Sequence, residues 1–427
     1  MKLTSTAMAL LLAGAGFAIA TPAQAQYGSA PPAPTPSSNQ MSDDAAKQDS
    51  GNQPKVSGAA KKEIVELQTA VNNKDVANIP AKAAAAKAKA KTKDDKYIIA
   101  QLQLKAAIAA NDNAAMASSL QEVVDSGFLK PAEVGPVFLN LGKLQYNAKA
   151  YDAAGFAFDQ VLKSDPNNVE ALVLLAETRN NQNRTAEAIG LIQKAIAART
   201  AAGQKAEEAW YKRAVALSYN AKLPTAPTLA REWVSAYPNP GNWRDTIRIY
   251  QMSTHAADAA LLDSMRLARA TGSLAGENDY YRYASTLVTK GFPGEAKAVL
   301  DQGFAAKAID RSKDMFSQLY GTASGRAQGD QASLAASATA AKAAPDAKKA
   351  MVIAEAYYGY GDYSQSADLL RAALGKSGVD KDLANLRLGM ALAQAGDKAG
   401  ATAALNSAGG AQADLAKLWL AYVAQKG

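Results

Sequence analysis

The stretch GPVFLNLGKLQYNAKAYDAAGFAFDQVLKSDPNN, residues 135–168, divides into two helical halves around a short turn. Phe138, Leu141, Gly142 and Leu144 recur at the spacing that places them on one helical face. Asn147 to Lys149 supply the turn, and Tyr151-Asp152-Ala153-Ala154 opens a second helix that buries Ala154, Phe158, Val161 and Leu162. Asp165-Pro166-Asn167-Asn168 ends it, because proline lacks the N–H that would continue the helical ladder. Small Gly142 and Ala154 let the two helices approach closely, while Tyr151 and Phe158 fill the space toward the next pair.

The pattern recurs along the chain. A second unit starts at Val169, with Leu172, Leu175-Ala176, Ala188, Ile192 and Ala195 in matching places. A third starts near Glu207, with Trp210, Ala214, Ala226, Trp233 and Tyr237-Pro238, displaced by a short insertion around Arg199 to Ala206. A weaker fourth runs from Gly241 through Trp243, Tyr250, Ala260 and Leu267, and a fifth starts near Glu277 with Tyr280, Tyr283-Ala284, Ala296 and Leu300. Residues 312–346 are degenerate and read as a helix pair around a Gly329-Asp330 turn, closing on Pro345-Asp346. Two further units start near Ala347 and Asp382, so the register is kept through the weak one. Upstream, Ala-rich pairs start near Ala60 and Tyr97, with turns at Asn72 to Asp75 and Asn111 to Asn113. Residues 411–424, carrying Leu415, Leu418, Trp419 and Val423, read as a capping helix over the last apolar face.

Residues 135–168, including the terminal Asp-Pro-Asn-Asn, resemble the tetratricopeptide repeat, whose period is about 34 residues. The resemblance implies an all-α, right-handed superhelical solenoid of roughly ten tetratricopeptide-like helix pairs. Residues 57–134 then form Ala/Lys-rich pairs, 135–410 the solenoid and 411–427 the cap. In this family the first helix of each pair lines a concave groove that takes protein or peptide partners. The positions so implied are Lys143, Tyr146 and Asn147; Glu177, Asn180 and Asn181; Tyr211, Ser218 and Tyr219; and Tyr281, Ser285 and Thr289, with Glu355 and Tyr358 in later units. The family's carboxylate clamp is not implied, because Leu139 and Val173 stand where it needs a Lys and a small polar residue.

The residue inventory argues for contact rather than catalysis. With no Cys there is no disulfide, zinc ribbon or catalytic thiol, and with one His there is no His-rich metal site. That residue, His255, sits in Ser253-Thr254-His255-Ala256 and reads as a surface turn or helix cap. A triad with Ser253 and Asp258 would require close neighbours on one turn to point at one another, and no nucleophile elbow is present. No Walker or dinucleotide fingerprint occurs, no cofactor is implied, and glycine-rich Gly321 to Gly329 reads as a loose interhelical segment. Alanine makes up nearly a quarter of the chain, so the 48% hydrophobic content suits many close-packed helices rather than one deep core.

The net charge of +8 gathers partly in residues 81–96, AKAAAAKAKAKTKDDK. Lys82, Lys87, Lys89, Lys91, Lys93 and Lys96 there face only Asp94 and Asp95, a pair that reads as a helix start. Two readings follow. One is a patch for an anionic partner, such as lipopolysaccharide or acidic polysaccharide; the other is a helix that lysines keep soluble. Lysines two apart lie about 200° apart on a helix, which favours the second reading. No aromatics interleave with them, so nucleic acid is not an expected partner.

The N-terminus carries the three parts of a secretory signal. Lys2 gives a basic start, Ala7 to Ala20 an apolar run, and Ala23-Gln24-Ala25 a small-residue site with cleavage expected after Ala25. The run falls short of the ~20 residues that span a bilayer, and no later one replaces it. Residues 26–56 hold Pro31, Pro32, Pro34, Pro36 and Pro54 among small polar residues, a composition expected to form a flexible tether. The sequence therefore reads as a non-catalytic scaffold in the periplasm of a Gram-negative bacterium, binding protein or peptide partners through its groove. A polysaccharide-associated scaffold using residues 81–96 is the first alternative, and an enzyme with a cryptic site the second.

Overall fold

The computed structural model describes residues 53–254 and 258–426. The expected signal segment, the tether up to residue 52, and His255 lie outside the described residues. Among the described residues the chain forms twenty α-helices and one 3-10 turn, Gly410–Gln412, with a single isolated bridge between Asp346 and Ser377. None of these helices is long and apolar enough to cross a membrane. They fall into two compact units that part at Ala206, inside the insertion visible in the sequence.

The first unit contains α1 (Lys61–Asn72), α2 (Ile79–Lys89), α3 (Lys93–Ala110), α4 (Asn113–Asp125), α5 (Pro131–Asn147), α6 (Tyr151–Ser164), α7 (Val169–Asn181) and α8 (Thr185–Ala201). Each packs on the next in chain order. The close approach expected at Gly142 is real, since a Cβ there would stand 2.5 Å from the Phe158 ring. Phe158 is fully buried and packs on Leu174 and Leu175 of the following pair. Side-chain caps start several helices where the backbone N–H groups lack partners: Thr92 caps α3, Asp112 α4 and Asn168 α7.

Asp95 closes the first unit's N-terminal edge. Its carboxylate accepts from the backbone N–H of Ser57 at 2.8 Å while Thr92 Oγ1 accepts from the Asp95 N–H, completing a capping box. The Lys55 N–H donates to Asp94, and Val56 packs on the cluster around Leu67 and Ile99. The last residues expected in the tether are therefore anchored, because an Asp pair satisfies backbone donors that would otherwise face water. Burial alone would push the Asp95 carboxyl up, but the bonds from Ser57 and Thr92 hold it below its ordinary value. A carboxyl so held contributes stability that is full above the ordinary Asp value of about 3.9 and lost as pH falls through the lowered folded one. Asp95→Asn is expected to cost the first unit about 1–2 kcal/mol at pH 7 and to flatten its acid-side loss. Urea melts from neutral to acid pH check this; an unchanged pH profile would assign the effect elsewhere.

The second unit contains α9 (Glu208–Asn220), α10 (Ala226–Ala236), α11 (Pro240–Ser253), α12 (Asp258–Ala270), α13 (Gly276–Lys290), α14 (Pro293–Ala305), α15 (Asp314–Ala343), α16 (Lys348–Gly359), α17 (Tyr363–Leu374), α18 (Lys381–Ala395), α19 (Lys398–Asn406) and α20 (Ala413–Gln425). The pair starts near Glu207, Glu277, Ala347 and Asp382 fall at helix starts, and the expected capping helix is α20. In a one-dimensional stack each pair touches only its neighbours. Here the end of the unit returns to its beginning. Val234, Trp243, Tyr250 and Leu267 share one core with Leu386, Leu415 and Trp419. The Trp243 indole N–H donates to the Gln425 side-chain carbonyl at 3.1 Å, and the Gln425 amide donates to the Val234 carbonyl at 3.1 Å. Helix α20 thus covers α19 and also packs against α10 and α12, with Trp243 of α11 bonded to its Gln425.

The crossover that precedes this return is α15, which corrects the sequence reading of residues 312–346. There is no turn at Gly329-Asp330 and no loose segment at Gly321 to Gly329; a single 30-residue helix runs through both. Its buried stripe is Phe316, Ala323, Ala327, Leu334, Ala338 and Ala341, a helical period that continues across the glycines. Asp330 uses its carboxylate to accept from the Tyr360 hydroxyl at 2.8 Å, rather than to form a turn. A Cβ added at Gly321, Gly325 or Gly329 would meet nothing. Each Gly→Ala change there is expected to stabilise the second unit by about 0.5–1 kcal/mol, by narrowing the unfolded ensemble. Thermal melts of the three single variants check this, and a lowered midpoint would contradict a continuous helix.

Candidate functional site

The first helices of the pairs present a polar face in each unit. On α5 and α7 of the first unit, Asn147 and Asn181 are exposed, and Glu177 and Asn180 are half-buried. The Asn181 amide donates to the Tyr146 hydroxyl at 3.1 Å, joining the two helices across one pair, and the Tyr146 ring meets Tyr151 edge to face. Lys143 is more committed: its ammonium lies 2.6 Å from Glu170, with most of the side chain covered.

On the second unit's α9, Tyr211 is half-buried edge-on against Tyr237, and Tyr219 is 38% exposed with its hydroxyl donating to Met252 Sδ at 3.3 Å. On α13, Tyr281 is exposed and edge-on to Phe316, while the hydroxyls of Ser285 and Thr289 are turned back on helix carbonyls. Three sequence assignments are corrected here. Ser218 is fully buried and shares a 2.7 Å hydrogen bond with Thr225, so it belongs to the packing inside its pair. Glu355 and Tyr358 are also buried, because the return of the second unit covers the face that an open stack would leave free.

Between α11, α12 and α13 the same face opens into a cleft of about 290 Å³. Arg244, Arg248 and Arg282 line it against one carboxylate, Asp279, whose oxygen accepts from the Ala275 N–H at 3.0 Å. Arg244 Nε donates to the Ser273 carbonyl at 3.1 Å, and Arg282 to the Gln251 side-chain carbonyl at 3.2 Å. Gln251 is held in turn through its amide on the buried Ser264 hydroxyl at 2.8 Å. Arg248 makes no hydrogen bond or ion pair with any described residue. Sequence reading passed over these arginines, although Arg244 and Arg248 stand four apart on one helix face, and that spacing was the available signal.

A family model described as "Tetratricopeptide repeat" matches residues 146–207, which span α6, α7 and α8. Residues 146–207 carry the tetratricopeptide repeat. No curated protein matches the sequence. Among solved structures, one titled "Structure of Naa15/Naa10 bound to HypK-THB" is 13% identical over 84% of this chain, with a TM-score of 0.28, and this chain spans 65% of its length. Another, titled "Crystal Structure of P58(IPK) TPR Domain at 2.5 A", is 12% identical over 86% of this chain and 99% of that one, with a TM-score of 0.20. Neither superposition adds to the fold described above. A tetratricopeptide repeat suggests a protein-interaction scaffold as the general type.

Beneath its surface the second unit buries an ionic network that the sequence did not announce. Arg266, fully enclosed, reaches Glu295 at 2.7 Å, Asp263 at 2.8 Å and Glu355 at 3.1 Å. Arg387 binds Asp263 at 3.1 Å and also pairs with Glu355, and the Tyr283 hydroxyl donates to Glu295 at 2.6 Å. The Arg266 guanidinium also lies 5.0 Å from the Tyr358 ring centre. Burial would lower the Arg266 pKa, but Glu295, Glu355 and Asp263 together hold it well above its ordinary value. Burial raises the Glu355 carboxyl against the opposing pull of Arg266 and Arg387. The network ties α12, α13, α14, α16 and α18 together, so its work is structural.

The lysine segment is not one helix, which corrects the reading of residues 81–96. Helix α2 ends at Lys89, Ala90 is extended, and Thr92 caps a new helix. Lys82 pairs with Glu66 and Lys87 with Glu122, each at 2.6 Å, and Lys93 lies over the Phe128 ring. Lys89 and Lys91 stay exposed around the break. Two lysines beside a kink make a weak platform for a long polyanion.

Proposed function

We propose that the chain is an exported, non-catalytic scaffold that binds protein or peptide segments on the first-helix faces of its tetratricopeptide pairs. The supporting observation is that each unit presents accessible amide or tyrosine side chains on its first helices, Asn147 and Asn181 in the first unit and Tyr219 and Tyr281 in the second. Preformed helices bind without ordering the backbone on contact, and Tyr and Asn lose little rotamer freedom. Cleavage after Ala25 and residence in a Gram-negative periplasm complete the reading, on the strength of the three-part N-terminal pattern.

Two measurements test it. The intact mass of chain purified from cells is expected to correspond to a start at Gln26, with the chain in the periplasmic fraction; a cytosolic chain retaining residues 1–25 would contradict export. Proximity labelling in intact cells is expected to mark a defined protein set that is lost on Asn147→Ala, Asn181→Ala and Tyr219→Ala. An identical set from wild type and triple variant would contradict binding on these faces.

A further inference from the structure

The arginine cleft of the second unit carries a narrower statement about the partner. Elsewhere among the described residues, Arg179, Arg184, Arg266, Arg371 and Arg387 each hold a carboxylate within ion-pair distance. Arg244, Arg248 and Arg282 hold none, as Arg231, Arg269, Arg311 and Arg326 hold none, but these three line one cleft of about 290 Å³. A fixed concentration of positive charge in a concave site raises the local concentration of anions and speeds their encounter. The guanidinium fork matches a carboxylate in two parallel bonds. The cleft is also built rather than incidental. Ser273 orients Arg244, and a buried hydroxyl positions Gln251, which orients Arg282, so two of the three forks are aimed before any ligand arrives.

The rim supplies the second half of the chemistry. Met252 lines the cleft and is 56% exposed, and the Tyr219 hydroxyl donates to its sulfur. An adaptable thioether beside an exposed aromatic ring accommodates an apolar side chain next to the charged site. We propose that this cleft docks an acidic peptide segment of a partner protein, with glutamate or aspartate side chains on Arg248 and Arg282 and a neighbouring apolar side chain against Met252 and Tyr219. The proposal rests on the scaffold reading and names the partner chemistry for one part of that surface. Charge complementarity selects the carboxylates, and the apolar rim selects a peptide over a uniformly polar anion.

The test uses the full mature chain, residues 26–427, and fluorescence anisotropy. The probe is a short fluorescein-labelled peptide of glutamates interrupted by leucines, compared with the same peptide carrying glutamine for glutamate. Wild type is expected to bind the acidic peptide and not the glutamine peptide, with affinity falling as salt rises to ~0.5 M. The double change Arg248→Glu and Arg282→Glu is expected to weaken binding by more than about tenfold. Arg326→Glu with Lys349→Glu, exposed charges on α15 and α16, changes the net charge equally and is expected to leave binding intact. Loss in both double variants, or in neither, would overturn the site. Competition by inorganic phosphate or polygalacturonate as strong as that by the unlabelled peptide, at equal anionic charge, would overturn the peptide assignment. If peptide binding fails while proximity labelling still depends on Asn147 and Asn181, the cleft falls and the scaffold reading stands. If labelling also returns nothing, the scaffold reading falls with it.

Discussion

Arg266→Met is expected to destabilise the second unit by about 3–5 kcal/mol, among the largest effects of any single change in this chain. The side chain is fully buried and reaches Asp263, Glu295 and Glu355 at once. Methionine fills similar volume but leaves three buried carboxylates facing one guanidinium, that of Arg387. Removing one partner from a buried ionic cluster leaves charge without compensation, which costs more than the cluster contributes net. Glu355→Gln is the matched comparison, because it leaves two carboxylates for two arginines. It should cost clearly less than Arg266→Met and alter the pH dependence. A carboxyl raised in the fold contributes stability that is full below its unfolded pKa and lost as pH rises through the folded one. Wild type should therefore lose some second-unit stability with rising pH above the ordinary carboxylate range, and Glu355→Gln should lose less. Urea melts of both variants across pH check this. A cost for Arg266→Met below about 1 kcal/mol would contradict a network that holds the unit together.

Trp419→Ala should be comparably severe, at about 3–5 kcal/mol, and more informative about architecture. The ring is fully buried on α20 and shares a core with residues of α10, α11, α16 and α18. If α20 only capped the last pair, the damage would stay in α18 and α19. Because the unit returns on itself, hydrogen exchange is expected to rise in α10 and α11 as well, where Gln425 bonds to Val234 and Trp243. Faster exchange confined to α18, α19 and α20 would contradict the closure.

Much of the fold was legible because its determinants are local. Gly142, Phe158 and Pro166 carry their meaning within one pair, and Asp112 and Asn168 mark helix starts by capping alone. What escaped depends on distant parts of the chain. Arg387 pairs with Asp263, far away in sequence, and no local pattern predicts that. The trace it left was a charge inside an apolar run, between the buried Leu386 and Leu388. The same return buried Glu355 and Tyr358, which an open stack would have exposed. Helix α15 escaped for a different reason: Gly329-Asp330 has the composition of a turn, yet the apolar stripe on both sides keeps its helical period. The surface tyrosines and asparagines were legible by family geometry, whereas the arginine cleft needs three helices to converge before it exists.

The central claim is that first-helix faces, and not the outer helices, meet a protein partner. Photo-crosslinking in living cells addresses it directly, with a benzophenone amino acid placed in turn at Asn147, Tyr219 and Arg248, and at Lys194 and Arg371 on the second helices α8 and α17. The expected result is a discrete protein adduct from the first three positions and none from the last two. Adducts from all five positions alike, or from none, would contradict the account.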